Sequence, residues 1–263
     1  MISDIFDLIR GEISLLQFVV SIGAVVFVVF CATPLHEFAH AFIANKLGDD
    51  TAKNMGRLTI DPKVHIDPIG AIMIFLFGFG YAKPVPVRMR KFRKPKRDMA
   101  LVALAGPVCN LLQALLLMVI YNLFLLLSVK TESETLGYMS FFFYFAANIN
   151  VNLAVFNLIP VPPLDGSRIL TAFLPTRIYF KIMEYERYIM IGLLILLATD
   201  IIVKPLSMVS GFVMGVLQII TSLPFNFSLI TAFATLWIFC GSATDVPPNF
   251  CTMIPTLLSF INV

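Results

Sequence analysis

The chain has 263 residues and a net charge of +3; 59% of its residues are hydrophobic and only 13% are charged. Soluble domains have about 25% charged residues, so this composition excludes an ordinary soluble enzyme and indicates a membrane protein with several spans. The basic residues flank apolar runs, as membrane topology requires, which argues against a nucleic-acid partner.

The first predicted span covers residues 13–47. Its first part, 13–32, is nearly all apolar and is long enough to cross a bilayer. The helical pattern continues through His36 and His40 and stops near Gly48. Residues four apart lie on one face of a helix, so the two imidazoles can reach a single metal ion.

His36, Glu37 and His40 form the H-E-x-x-H arrangement of a zinc hydrolase. Zinc polarises the scissile carbonyl and activates water, and Glu37 can take the proton of that water. The motif alone has moderate specificity, because a His-Glu pair on the surface of a soluble helix gives the same letters. Ionisable side chains inside a span are costly, however, and indicate function. Both histidines lie about 9–15 Å from the polar end of the helix.

The next apolar stretch, 69–81, is too short for an ordinary span. As a helix it would cover about 20 Å, whereas a bilayer core is about 30 Å thick. Basic residues on both sides place both flanks in the cytoplasm, so we interpret it as a re-entrant or interfacial hairpin. A short tilted span is the alternative. The basic loop 88–97 that follows is interpreted as an anchor to anionic lipid headgroups.

Further spans are predicted near 99–128, 140–163, 188–203 and 206–223. The loop between the first two of these is slightly acidic, and the charge bias places it outside the cell. The predicted fold is therefore an all-α polytopic membrane protein with about five or six transmembrane helices. Residues 1–225 are assigned to one domain. The hydrophobic tail 226–263 has room for one more span and no assigned role.

A catalytic zinc site needs a third protein ligand and one open position. His65 is the only other histidine, and Asp165 is the best carboxylate on the cytoplasmic side. Pro160, Pro162 and Pro163 end the helix before Asp165. The backbone groups that they leave unpaired are tolerated at membrane depth only inside protein or beside a cavity. We therefore predict that Asp165 faces the two histidines.

His65 and Asp67 lie just before the short apolar stretch. We consider them candidates for the entrance to the site or for its zinc shell. The alternative is a role in capping and turn hydrogen bonds within the loop.

Three motifs together resemble the site-2 protease family of intramembrane zinc metallopeptidases. They are HEFAH in the first span, ALAGPVCN at 103–110 and NLIPVPPLDG at 157–166. The stretches LGDDTAKNMGRLTIDPKVHIDPIG and GFGYAKPVPV resemble the short prokaryotic branch that lacks a PDZ domain. The resemblance covers about residues 15–210. RMRKFRKPK is more basic than the family pattern, and the tail after about 225 has no counterpart in it.

This resemblance implies that His36, His40 and Asp165 bind zinc and that Glu37 is the general base. It further implies that Asn157 positions the substrate backbone or the oxyanion. The expected activity is hydrolysis of peptide bonds in transmembrane segments of membrane-anchored proteins, as in regulated intramembrane proteolysis. The expected partners are the lipid bilayer and transmembrane or signal-peptide-like substrates. The expected location is the prokaryotic plasma membrane, with the active site toward the cytoplasm.

Two other classes of function compete with this interpretation. A membrane metal transporter or sensor also places histidines and carboxylates inside spans, but it would need more of them than one cluster. An inactive scaffold that binds membrane helices would have no need of a complete set of ligands and base.

Overall fold

The computed structural model describes residues 8–67, 70, 83–197 and 200–223. These residues are mostly helical and include no strand, which confirms the prediction of an all-α fold. Four helices among them are long and apolar enough to cross a membrane. The hairpin predicted at 69–81, apart from Gly70, and the tail at 226–263 lie outside the described residues.

The helices are numbered in chain order. They are α1 Leu15–Phe27, α2 Thr33–Lys46, α3 Thr51–Asn54, α4 Pro62–His65, α5 Pro95–Thr131, α6 Glu134–Asn157, α7 Asp165–Ile169, α8 Thr176–Glu184, α9 Glu186–Leu197 and α10 Asp200–Ser222. The candidate spans are the continuous stretch Leu15–Lys46, α5, α6 and Ile201–Ser222 within α10.

A π-helical turn, Val28–Ala32, joins α1 to α2 just before the histidines. Pro34 has no amide hydrogen for the carbonyl of Phe30. The amide and the hydroxyl of Thr33 both donate to the Val28 carbonyl, the hydroxyl at 3.2 Å. The extra residue in this turn rotates the following helix by about 100° relative to an unbroken α-helix. The turn therefore sets which face of α2 meets the rest of the protein, a detail that the predicted continuous helix missed.

The core lies between α1, α5, α6 and α10, and many of its side chains are small. Small side chains let membrane helices approach closely, which maximises packing where no hydrophobic force drives association. The outer faces carry exposed leucines and phenylalanines, as a lipid-facing surface requires. The fully buried alanines of the core are Ala24, Ala32, Ala114, Ala146 and Ala147.

A buried polar contact links α5 to α10 away from the histidines. The amide of Asn122 donates to the Thr221 hydroxyl at 2.9 Å, and its carbonyl oxygen accepts from Gln218 at 3.1 Å. Asn122 is fully buried, so these bonds supply the partners that a polar group needs there. They also fix the register of α10 against α5.

The structure moves several predicted boundaries. The span predicted at 140–163 ends at Asn157, because the prolines that follow cannot continue a helix. The break predicted between 203 and 206 is wrong, since α10 runs from Asp200 through Pro205. Helix α9 has 12 residues and covers about 18 Å, less than a bilayer core.

Candidate metal centre

Helix α2 places His36 and His40 side by side with their rings nearly perpendicular. Their Nε2 atoms are 3.0 Å apart, and both residues are buried. The Asp165 carboxylate reaches this pair from a distant part of the chain. Its Oδ2 lies 3.3 Å from Nε2 of His36 and 3.2 Å from Nε2 of His40. The structure thus brings together the three side chains that the sequence proposes as ligands.

Asp165 is the first residue of the short helix α7, after the loop 158–164. The chain folds back so tightly here that a Cβ on Gly166 would lie 2.4 Å from the carbonyl oxygens of Leu158 and Ile159. Only glycine fits such an approach. The Ser167 hydroxyl donates to the Leu164 carbonyl at 2.7 Å and closes the turn. The letters LDG therefore describe a loop folded to hold one carboxylate in place.

Helix α5 supplies the space for this cluster at Gly106. A Cβ on Gly106 would lie 2.4 Å from Nε2 of His40 and 2.5 Å from Nε2 of His36. The backbone of α5 therefore packs directly against the two imidazoles, and any side chain would displace them. The sequence offered only a weak signal for this, namely a glycine and Pro107 inside an otherwise apolar helix.

The turn of α5 before Gly106 also orients His40. Nδ1 of His40 lies 2.7 Å from the carbonyl oxygen of Val102. A carbonyl can only accept, so Nδ1 carries the hydrogen, and in the neutral ring Nε2 then keeps its lone pair. This is the arrangement that fixes the ring and tautomer of a metal-binding histidine. Sequence reasoning could not find it, because the acceptor is a backbone atom on another helix.

The three donor atoms fit zinc. A tetrahedral site with bonds of about 2.0–2.2 Å separates its ligand atoms by about 3.3–3.6 Å. The three separations here, 3.0, 3.2 and 3.3 Å, lie at or just below that range. Two imidazole nitrogens and one carboxylate oxygen form a ligand set that catalytic zinc sites use, with a fourth position open. Gly106 has no side chain to fill the space beside the Nε2 atoms of His36 and His40.

Glu37 is buried beside this cluster, and its carboxylate has a backbone partner. Its Oε2 accepts the amide hydrogen of Val85 at 3.1 Å. Val85 belongs to residues 83–88, a segment between the predicted hairpin and the basic loop. This contact joins residues on two separate segments, so the sequence alone could not predict it.

The remaining sequence candidates are not among the three grouped donor atoms. Asn157 is the last residue of α6 and is partly buried at the start of the loop that leads to Asp165. His65 is fully buried in α4, where its Nε2 pairs with the Thr59 carbonyl at 2.7 Å. Asp67 accepts the amide hydrogen of Gly70 at 3.0 Å. Two roles were considered for His65 and Asp67. These contacts correspond to the second role, hydrogen bonding within the loop.

Comparison with known proteins places these features in a family. The sequence model of peptidase family M50 matches residues 125–199. "Putative zinc metalloprotease YwhC" of Bacillus subtilis is 42% identical over 173 residues, which are 64% of this chain and 76% of the relative. The chain belongs to peptidase family M50, the site-2 proteases.

Two other relatives match over similar stretches and are also described as putative zinc metalloproteases. Rip2 of Mycolicibacterium smegmatis is 31% identical over 137 residues, half of this chain and half of Rip2. MJ0611 of Methanocaldococcus jannaschii is 27% identical over 179 residues, 67% of this chain and 83% of the relative. No solved structure matches the chain.

Membership of the M50 family makes the chain a membrane metalloprotease and zinc its metal. The predictions of the family and of zinc are therefore confirmed. The four apolar helices agree with a protein embedded in a membrane.

Proposed function

We propose that this M50 protein hydrolyses peptide bonds inside the transmembrane segments of membrane-anchored proteins, as in regulated intramembrane proteolysis. The observation that carries the proposal is the buried cluster of His36, His40 and Asp165 beside Glu37, in and against a helix long and apolar enough to span a membrane. A soluble metalloprotease has no reason to bury its ligands within such a helix. The proposed protease domain covers residues 1–225.

The charges along the spans support a site near the cytoplasmic face of a prokaryotic plasma membrane. Helix α2 ends at Lys46, about 15 Å along the helix from His36. Helix α5 begins within the basic loop 88–97 and ends next to the acidic residues at 132 and 134. Positive flanks favour the cytoplasm, so the ligands lie in the cytoplasmic half of the membrane, within reach of water from that side.

Each of these side chains has a separate role in the proposed reaction. When bound, zinc supplies a Lewis acid and makes water a stronger acid. His36, His40 and Asp165 would hold the ion, and the Val102 carbonyl would keep His40 in the tautomer that binds it. Glu37 takes a proton from the attacking water and returns it to the leaving amine. Asn157, at the mouth of the loop, donates its amide to the carbonyl oxygen as negative charge develops there.

The substrate must unwind before it is cleaved. A peptide bond in an intact helix has its carbonyl hydrogen-bonded to the amide four residues later, which leaves no room for attack. Strand addition to the segment 69–81 is a proposed means of holding the unwound substrate. Transmembrane helices and signal-peptide-like anchors fit these requirements because a membrane site receives them laterally.

Proteolysis in vesicles tests this function. Purified protein is reconstituted with a single-span substrate, and fragments are mapped by mass spectrometry. We expect wild type to cut within the span, Glu37→Gln to retain zinc and lose cleavage, and His36→Ala to lose both. Glu134→Gln is the matched control and retains activity. It changes a carboxylate at the first residue of α6, the end away from Asn157. Normal cleavage by Glu37→Gln would refute the assignment.

A second measurement on the same vesicles tests the alternative function, a metal transporter. Zinc uptake is followed with a fluorescent indicator inside vesicles that contain no substrate protein. The proposal requires no uptake above that of empty vesicles. In the described ranges, His36, His40 and Asp165 are the group of side chains placed to hold a metal, whereas a transport path needs successive sites.

A further inference from the structure

Residues 83–88, with the sequence KPVPVR, form a segment that we call the strap. Its ends and its middle are tied to the protein by backbone amides. The three donations go from Lys83 to the His65 carbonyl at 2.8 Å, from Val85 to Oε2 of Glu37 at 3.1 Å, and from Arg88 to Oδ2 of Asp49 at 2.6 Å. The middle bond is the one that touches the proposed general base.

The sequence of the strap makes it stiff. Pro84 and Pro86 have fixed φ angles near −65° and disfavour the helical conformation in the residues before them. Val85 stands between the two prolines, so it is the one residue of the three with an amide hydrogen. Because a stiff segment moves as a unit, the position of the Val85 amide depends on how the ends of the strap are held.

Asp49 holds the end of the strap at Arg88. Its side chain is fully buried, and a buried carboxylate is costly unless its oxygens are hydrogen-bonded. Oδ1 accepts the amide of Thr51 at 3.0 Å and also the Thr51 hydroxyl, while Oδ2 accepts the amide of Arg88. One carboxylate thus ties the start of α3 to the strap.

The side chain of Val85 places the strap on the face of α2 that carries Glu37. Val85 is 4% exposed and packs in a cluster with Ala41 and Ala52. Ala41 is four residues after Glu37, one turn further along the same helix face. The strap therefore lies along the row that leads to the base, and its amide meets the carboxylate from a fixed direction.

We propose that Asp49 is a positioning residue for the reaction and acts through the strap. It holds the Val85 amide against one oxygen of Glu37, which restricts a side chain with three rotatable bonds and leaves the second oxygen to take the proton. This inference rests on the proposed role of Glu37 as general base. Asp49 itself touches neither substrate nor metal.

The first test replaces Asp49 by asparagine in the full-length protein. The amide group keeps the volume but cannot accept at both positions, so the hold on Arg88 or Thr51 is lost. We expect kcat for the single-span substrate to fall by at least about 10-fold, part of the 10²–10⁴-fold that a general base contributes. KM and zinc content stay within about 2-fold of wild type, because the change does not reach the ligands.

Asp50→Asn is the matched control. Asp50 is exposed, and the hydrogen bond from Lys91 lowers the pKa of its carboxyl. It accepts no amide of the strap. Its substitution removes one negative charge at the neighbouring position and leaves kcat within about 2-fold of wild type. Equal losses in Asp49→Asn and Asp50→Asn would overturn the proposal.

A double-mutant cycle separates positioning from a general loss of structure. Val85→Pro deletes the amide hydrogen and keeps the strap extended between its prolines. If Asp49 acts through that amide, Asp49→Asn has no further effect on kcat in the Val85→Pro background. Independent effects would multiply instead. Multiplied losses, or a Val85→Pro enzyme with normal kcat, would contradict the proposal.

Hydrogen–deuterium exchange of the zinc-free protein gives a reading that does not depend on activity. Peptides that cover the strap exchange faster in Asp49→Asn than in wild type or Asp50→Asn, while peptides from α5 and α6 do not change. Unchanged exchange in the strap would refute its anchoring by Asp49. If wild type cleaves and Glu37→Gln does not, but Asp49→Asn is normal, this inference fails and the proposed function stands.

Discussion

The backbone of Gly106 on α5 lies against His40 on α2, so closely that a methyl group at Gly106 would be 2.4 Å from Nε2. This contact joins the first and second spans at the metal centre. It also reserves the space next to the ligand nitrogens, where a metal ion must sit.

Gly106→Ala is expected to lower zinc affinity by about 10- to 100-fold, the range seen when residues around metal ligands are changed. The added methyl group forces the imidazoles apart or pushes α5 away from α2. Zinc content of the purified protein, measured by mass spectrometry across a range of buffered free zinc, checks this. Gly211→Ala is the control, since a Cβ on Gly211 meets no atom within 4 Å. Equal zinc affinity in the two variants would show that the contact is not critical.

Replacing a metal-ligand histidine and replacing the loop histidine His65 should have different effects. His40→Gln is expected to lose zinc, because one of three ligands is gone. His65→Gln keeps zinc and lowers the free energy of unfolding by about 1–3 kcal/mol, because the buried ring loses its bond to the Thr59 carbonyl. Zinc analysis and denaturant unfolding of the same preparations give both numbers. A zinc-free His65→Gln protein would mean that His65 belongs to the metal shell.

Removal of zinc should stop cleavage without unfolding the protein. The core between α1, α5, α6 and α10 contains none of the three proposed ligands, so its packing does not depend on the ion. We expect a chelator to abolish proteolysis in vesicles and to leave the helical circular dichroism signal unchanged. Stoichiometric zinc restores cleavage, and magnesium does not. Loss of helicity on chelation would show that the ion also supports the fold.

Asn122→Ala should affect stability and leave the metal centre intact. It deletes the hydrogen bonds to Thr221 and Gln218 that link α5 to α10. Such bonds between membrane helices contribute about 1–2 kcal/mol. Unfolding by a denaturing detergent would measure the loss, with zinc content as the internal control. Asn54→Ala, at an exposed position, is expected to change stability by less than about 0.5 kcal/mol.

Local patterns in the sequence were enough to anticipate the cluster of three side chains. The four-residue spacing places His36 and His40 on one helix face whatever surrounds them. The prolines before Asp165 mark the end of a helix from local chemistry alone. These features can be predicted from the sequence because each depends only on residues that are close together in the chain.

Contacts between distant segments could not be predicted from such local patterns. The approach of Gly106 to His40, the bond from Val85 to Glu37 and the acceptor at Val102 all depend on how spans pack. The π turn was missed although Pro34 predicts a lost hydrogen bond, because the sequence does not say how the helix compensates. The break predicted between 203 and 206 is wrong because α10 continues through Pro205, and the residues near a proline do not by themselves show whether a helix continues past it.

The placement of Asp165 has a consequence for synthesis of the protein. His36 and His40 leave the ribosome with the first span, but the third ligand follows α6, and Gly106 lies on α5 between them. A nascent chain therefore contains two histidines and no complete centre until its third span has been made. The enzyme can become active only after most of its helices are available for insertion, so the membrane machinery that handles the growing chain is not exposed to a working protease.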